Sequence, residues 1–191
     1  MPAAQRRVLA LAARGAAVAN PTLQEFLTQE RNNLVEAWKG AVFALFPAEA
    51  LPYLKKKKDP YMNPLAHTLA SGLEELFDEL LGLGRDEAID QILTRMIKTL
   101  AIQNQEASAS LSFIFLLRKV LGRALAAAGQ PELLGDLEPV LEALLKRGIN
   151  ILVATREAIA DLKINEMERK TYSLIKLVNR QQHKADHPLE A

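Results

Sequence analysis

The sequence predicts an all-α protein, a helical bundle of five to six helices ending in a long C-terminal helix. Three observations predict it. Apolar residues recur at spacings of three and four along nearly the whole chain. No stretch shows the sustained alternation of a half-buried strand. No helix breaker stands between Pro139 and His187-Pro188, so the last helix must be long.

The first helix is expected from Thr22, where Thr22-Leu23-Gln24-Glu25 fits a capping box behind Pro21. Leu23, Leu27, Leu34, Trp38, Ala41 and Leu45 then share one face, and Pro47 ends the run. The next stretch, 47–64, carries Pro47, Pro52, Pro60 and Pro64 together with Lys55–Lys58. It reads as a long connection. A second helix starts at Asn63-Pro64, an Asn N-cap with proline at the first helical position. Its stripe is Leu65, Leu69, Leu73, Leu76 and Leu80, and Gly82 and Gly84 stop it. The third begins near Asp86 and turns Ile89, Ile92, Leu93, Met96, Ile97 and Leu100 to the core.

The fourth helix spans about Ala107 to Ala128 and is stopped by Gly129-Gln130-Pro131. Phe113–Leu117, Val120 and Leu121 make it apolar around most of its girth, which predicts a central place with Phe115 buried. The last helix is expected from Asp136–Pro139, with Gly148 as its one weak position. From Glu138 to Gln182 it would measure roughly 67 Å. A compact chain of 191 residues is only about 40 Å across. The helix must therefore overhang, bend or pair with another chain. Ile164, Met167, Thr171, Leu174 and Val178 repeat at three and four, which reads either as the seam of a short coiled coil or as the stripe of a surface helix that frays after Asn179. The expected organisation is an Ala/Arg-rich leader or extra helix over 1–21, a helical body over 22–182 and a tail over 183–191.

Composition narrows the chemistry. The chain holds 24 Lys+Arg against 23 Asp+Glu, a formal charge of +1, and no Cys. Near-neutrality argues against bulk attraction to nucleic acid or a membrane surface. The missing thiols exclude disulfides, thiolate catalysis and Cys-ligated metals, and fit a reducing, cytoplasmic setting. Met1–Asn20 carries Arg6, Arg7 and Arg14, but its apolar stretch Val8–Ala13 is short for a secretory signal. No run is long enough to span a membrane.

Catalytic and cofactor patterns do not assemble. The nine glycines form no phosphate loop. None of the three histidines stands three residues after a Glu, as a di-iron bundle requires. No metal, cofactor or catalytic residue is therefore expected. His67 is the only histidine in the body of the fold. It reads either as a haem ligand, a phosphoacceptor or a pH sensor, or as a side chain bonding a nearby carbonyl. Glu74, Glu75, Asp78 and Glu79 read as a solvated face. Lys55–Lys58, between Tyr53 and Tyr61, could meet phosphate, but four charges are a small footprint. Arg118 and Lys119 close the apolar helix. Arg156, Glu157, Asn165, Glu166 and Arg169 line the long one, where charges can set pairing.

Four stretches together resemble one family: "ERNNLVEAW" (30–38), "YLKKKKDPYMNPLAHTLASGLEELFDEL" (53–80), "AIDQILTRMIKTLAIQNQEASASLSFIFLLRKVL" (88–121) and "ATREAIADLKINEMERK" (154–170). In order and spacing they are similar to the N-terminal domain of the RsbT co-antagonist protein RsbRD family, over roughly 22–175. The resemblance implies a sensory or scaffold module, globin-like in its stressosome relatives, joined by a long helix to a STAS or kinase domain. Nothing after residue 182 could fold as such a domain, so a standalone member is expected. It would form a homodimer and pass its signal in trans to a STAS, kinase or redox-complex protein. The resemblance marks Asn63, His67, Thr68 and Arg118 as ligand- or signal-sensing candidates. Arg156, Asn165, Glu166 and Arg169, with Ile164, Met167, Leu174 and Val178, are the candidate partner contacts. The alternative is a sensor holding haem or a small apolar molecule near His67.

Overall fold

The computed structural model describes residues 20–47, 49, 63–81, 86–102 and 106–186, with side chains as far as Arg180. Among these residues the chain is an all-α bundle without strands. Its helices are α1 (Pro21–Gln29), α2 (Arg31–Phe43), α3 (Pro64–Leu81), α4 (Asp86–Ile102), α5 (Ala107–Ala127) and the long α6 (Leu134–Asp186). A 3₁₀ turn, Pro131–Leu133, leads into α6. Residues up to Val153 make one compact unit, and those from Ala154 onward make a second. Most of the leader, the Lys55–Lys58 run and the tail beyond Asp186 lie outside the described residues.

The expected first helix is two. Its cap is Asn20 rather than Thr22: the Asn20 side chain accepts from the N–H groups of Thr22 and Leu23 at 3.2 and 3.3 Å. Asn20-Pro21 therefore repeats the logic of Asn63-Pro64, a good cap followed by a residue with no N–H to satisfy. Helical geometry then lapses at Glu30, where ψ is 4°. The lapse is slight, because Glu30 still donates to the Phe26 carbonyl and accepts from Leu34, both at 2.9 Å. It lets α1 settle against α3 while α2 packs on both α3 and α5. The α2 helix ends at Phe43, so Leu45 falls outside it and is exposed, not part of the stripe. Val35, Val42 and Phe43 are buried there instead.

The middle helices follow their periodicity. Asn63 caps α3 by accepting from the Ala66 N–H at 3.1 Å. Leu69, Leu73 and Leu76 are fully buried, as are Ile89, Leu93, Met96 and Ile97 on α4. The α3–α4 pair is close enough that a Cβ on Gly72 would sit 2.6 Å from Met96 Cγ. Each of these side chains removed from water contributes about 1.5–3 kcal/mol.

Helix α5 corrects the expectation of all-round burial. Its buried residues, Ser110, Leu111, Phe113, Ile114, Leu117, Leu121 and Leu125, lie on one broad face. Phe115 points the other way and is 50% exposed. The physical reason is that α2, α4 and the start of α6 cover this helix on one side only. Beyond the Ala128 cap, Gly129 adopts φ +73°, and Gln130 and Gly129 donate to the carbonyls of Leu125 and Ala126. These two bonds are a Schellman stop, which needs a left-handed residue and finds glycine.

Helix α6 starts at Leu134, earlier than Asp136–Pro139, with Pro139 inside it. In the first unit it buries Leu137, Val140, Leu141, Leu144 and Leu152. Gly148 is a packing site, not a weak point. A Cβ there would lie 3.0 Å from Leu111 Cδ2 and 3.3 Å from Ile114 Cδ1. Its missing side chain is what lets α6 approach α5 closely.

Candidate functional site

The four sensing candidates are placed by ordinary helix chemistry. The Asn63 side chain is engaged in capping α3. His67 and Thr68 follow in the first two turns, and His67 is exposed. Arg118 is held at Glu138 of α6, with its Nε and Nη2 at 2.8 and 2.6 Å from the same carboxylate oxygen. The hydrogen bond and field of Glu138 raise the Arg118 pKa. Its position is that of a tie between α5 and α6.

The acidic cluster on α3 is not simply a solvated face. Arg31 grips Asp78 through two parallel bonds of 2.6 Å. That hydrogen bonding, with the field of Asp78, outweighs slight burial and raises the Arg31 pKa. Arg95 pairs with Glu75 at 2.6 Å. Lys39, buried on α2, pairs with Glu74 and with Glu36. Its burial had a trace in the sequence, because Lys39 stands four residues after Val35 and three before Val42, on the apolar stripe. The pairings themselves had none.

A second, partly buried tie was also missed. Arg147 of α6 bonds Asp86 and Asp90 of α4, each at 2.7 Å. Burial works against its charge, but the bonds and fields of Asp90 and Asp86 prevail and its pKa is raised. Arg147 and Asp86 line a cavity with Leu80, Ile89, Val140 and Leu144. At about 10 Å³ it has room for about one water, not for a ligand. Among the described residues no three His, Asp or Glu side chains converge as a metal site would need. Every buried side-chain nitrogen or oxygen there has a partner. The bundle is thus internally satisfied.

The second unit is the opposite case. All eight candidate contact residues on it are exposed. Ile164, Met167, Leu174 and Val178 are 55%, 69%, 63% and 51% exposed, and Thr171 between them is open too. Leu162, Tyr172, Ile175 and Leu177 add further uncovered apolar surface. The polar candidates stand around this seam. Glu166 pairs with Lys170 one turn on, at 2.7 Å. The Arg169 carbonyl accepts from Ser173 Oγ. The helical backbone continues to Asp186, past the expected start of the tail. Among the described residues no helix is long and apolar enough to cross a membrane. Among the described residues, most of the exposed large hydrophobic side chains lie on this segment. Comparison with protein-family models, with curated proteins and with solved structures finds no match to this chain.

Proposed function

We propose that this protein is a non-catalytic signalling or adaptor module, which dimerises through the second half of α6 and presents that helix to a partner in trans. The uncovered seam at Ile164, Met167, Leu174 and Val178 carries the reading. Apolar surface left in water is unfavourable by about 25 cal/mol per Å². Contiguous exposed patches of this kind mark interaction sites. The resemblance to RsbRD N-terminal modules supports the same reading, since in that family the long helix is the connector. A STAS, kinase or redox-complex protein is the class of downstream partner it implies.

Sedimentation equilibrium tests the reading. The unmodified chain is expected at the mass of two chains. With Leu174→Asp and Val178→Asp together it should fall to one chain while keeping its helical circular dichroism, because neither residue supports the core. An unmodified chain that stays monomeric at high concentration would overturn it.

A further inference from the structure

We infer that the second half of α6 pairs with a second copy of itself in parallel and in register, an orientation written in the charges beside the seam. The inference rests on the dimer reading above and adds its direction. Taking Ile164, Thr171 and Val178 as heptad positions a makes Ala160, Met167 and Leu174 positions d. Every a residue is then β-branched. Met167 and Leu174, the large d residues, are not. That distribution favours two parallel strands. The seam begins after Glu157, which would stand at the preceding a position.

The flanks decide the direction. Positions g are Arg156, Lys163 and Lys170, all basic, and then Leu177; positions e are Asp161, Glu168 and Ile175, two acids and an apolar residue. In a parallel, in-register pair each g residue meets the e residue five places on in the other chain. Arg156 then faces Asp161, and Lys163 faces Glu168, each twice by symmetry. In an antiparallel pair g meets g and e meets e, so the basic g residues would face basic residues or Leu177, and the acids would face acids or Ile175. The same charges that attract in one orientation repel in the other. Lys170 faces Ile175 in the parallel pair and keeps its own-chain bond to Glu166. Toward the C-terminal end Ile175 and Leu177 widen the apolar face where the charges stop.

The chain has no cysteine, so a single introduced thiol reports direction cleanly. In the full-length protein, Ala160→Cys and Val178→Cys are each made alone, oxidised, and also mixed as chains of different tag length, because antiparallel pairing sets d residue 160 against a residue 178. Parallel pairing predicts a disulfide dimer from each variant alone and no mixed 160–178 product. If only the mixed product forms, the helices are antiparallel: the orientation is overturned and the dimer stands. If the unmodified chain is a dimer and no variant cross-links, the seam is not the interface. If the unmodified chain is a monomer, the dimer reading itself fails. The charge arm is independent. Lys163→Glu should raise the dimer Kd roughly tenfold, since two attractions become two repulsions. Lys163→Glu with Glu168→Lys should return it to within about twofold, because the pairs are restored with reversed sign. A double variant as weak as the single one would overturn the pairing.

Discussion

The indole N–H of Trp38 donates to the backbone carbonyl oxygen of Phe113 at 2.7 Å, in the buried interface between α2 and α5. The Trp38 ring also leans on Phe77 of α3, with centroids 6.4 Å apart. One side chain therefore holds three helices in place. Trp38→Phe keeps an aromatic ring but deletes the donor and leaves a small void. It should cost about 2 kcal/mol in urea unfolding. A change within about 0.5 kcal/mol would show that the bond adds nothing to the packing.

Two phenylalanines two residues apart should behave differently. Phe113 is 1% exposed and Phe115 is 50% exposed. Phe113→Ala should destabilise by about 3–5 kcal/mol. Phe115→Ala should cost about 1 kcal/mol or less. Equal losses in the same denaturation assay would mean that something covers Phe115 in solution.

The helical glycines separate by what surrounds them. Nothing lies within 4 Å of a Cβ built on Gly40. Gly40→Ala should therefore raise stability by about 0.5–1 kcal/mol, by restricting the unfolded chain. Gly148→Ala should lack that gain, because the ends of Leu111 and Ile114 must give by a few tenths of an ångström to admit the methyl group. A thermal midpoint that rises for Gly40→Ala and not for Gly148→Ala is the expected result.

Arg147 joins α6 to α4 through Asp86 and Asp90. Arg147→Met should cost about 1–3 kcal/mol by leaving half-buried acids without their donor. The folded pKa of Arg147 is raised, so its contribution is complete below the unfolded value and is lost only as pH rises through the folded one. The difference between variant and unmodified chain should thus stay level from about pH 6 to 10. A difference that shrinks steadily over that range would mean that another group governs the tie.

The sequence by itself determined the helices and most of their inward faces. On α4 all six residues expected in the core are buried, because a period of 3.6 with one apolar stripe admits one orientation. The start at Asn63-Pro64 and the stop at Gly129 were legible too, since caps and left-handed turns are local chemistry. So was the three-and-four spacing of Ile164, Met167, Thr171, Leu174 and Val178 along α6, which needed only counting. Tertiary structure decided the rest. Phe115 sits among five consecutive apolar residues, and such a run does not say which side its neighbours cover. The lapse at Glu30 has no breaker to announce it; it accompanies two segments that share α3, of which the second packs chiefly on α5. Arg31 meets Asp78, Lys39 meets Glu74 and Arg147 meets Asp86 only because folding brings distant turns together. Periodicity carries information along one helix, whereas charge pairing between helices depends on their relative rotation and height, which packing alone sets.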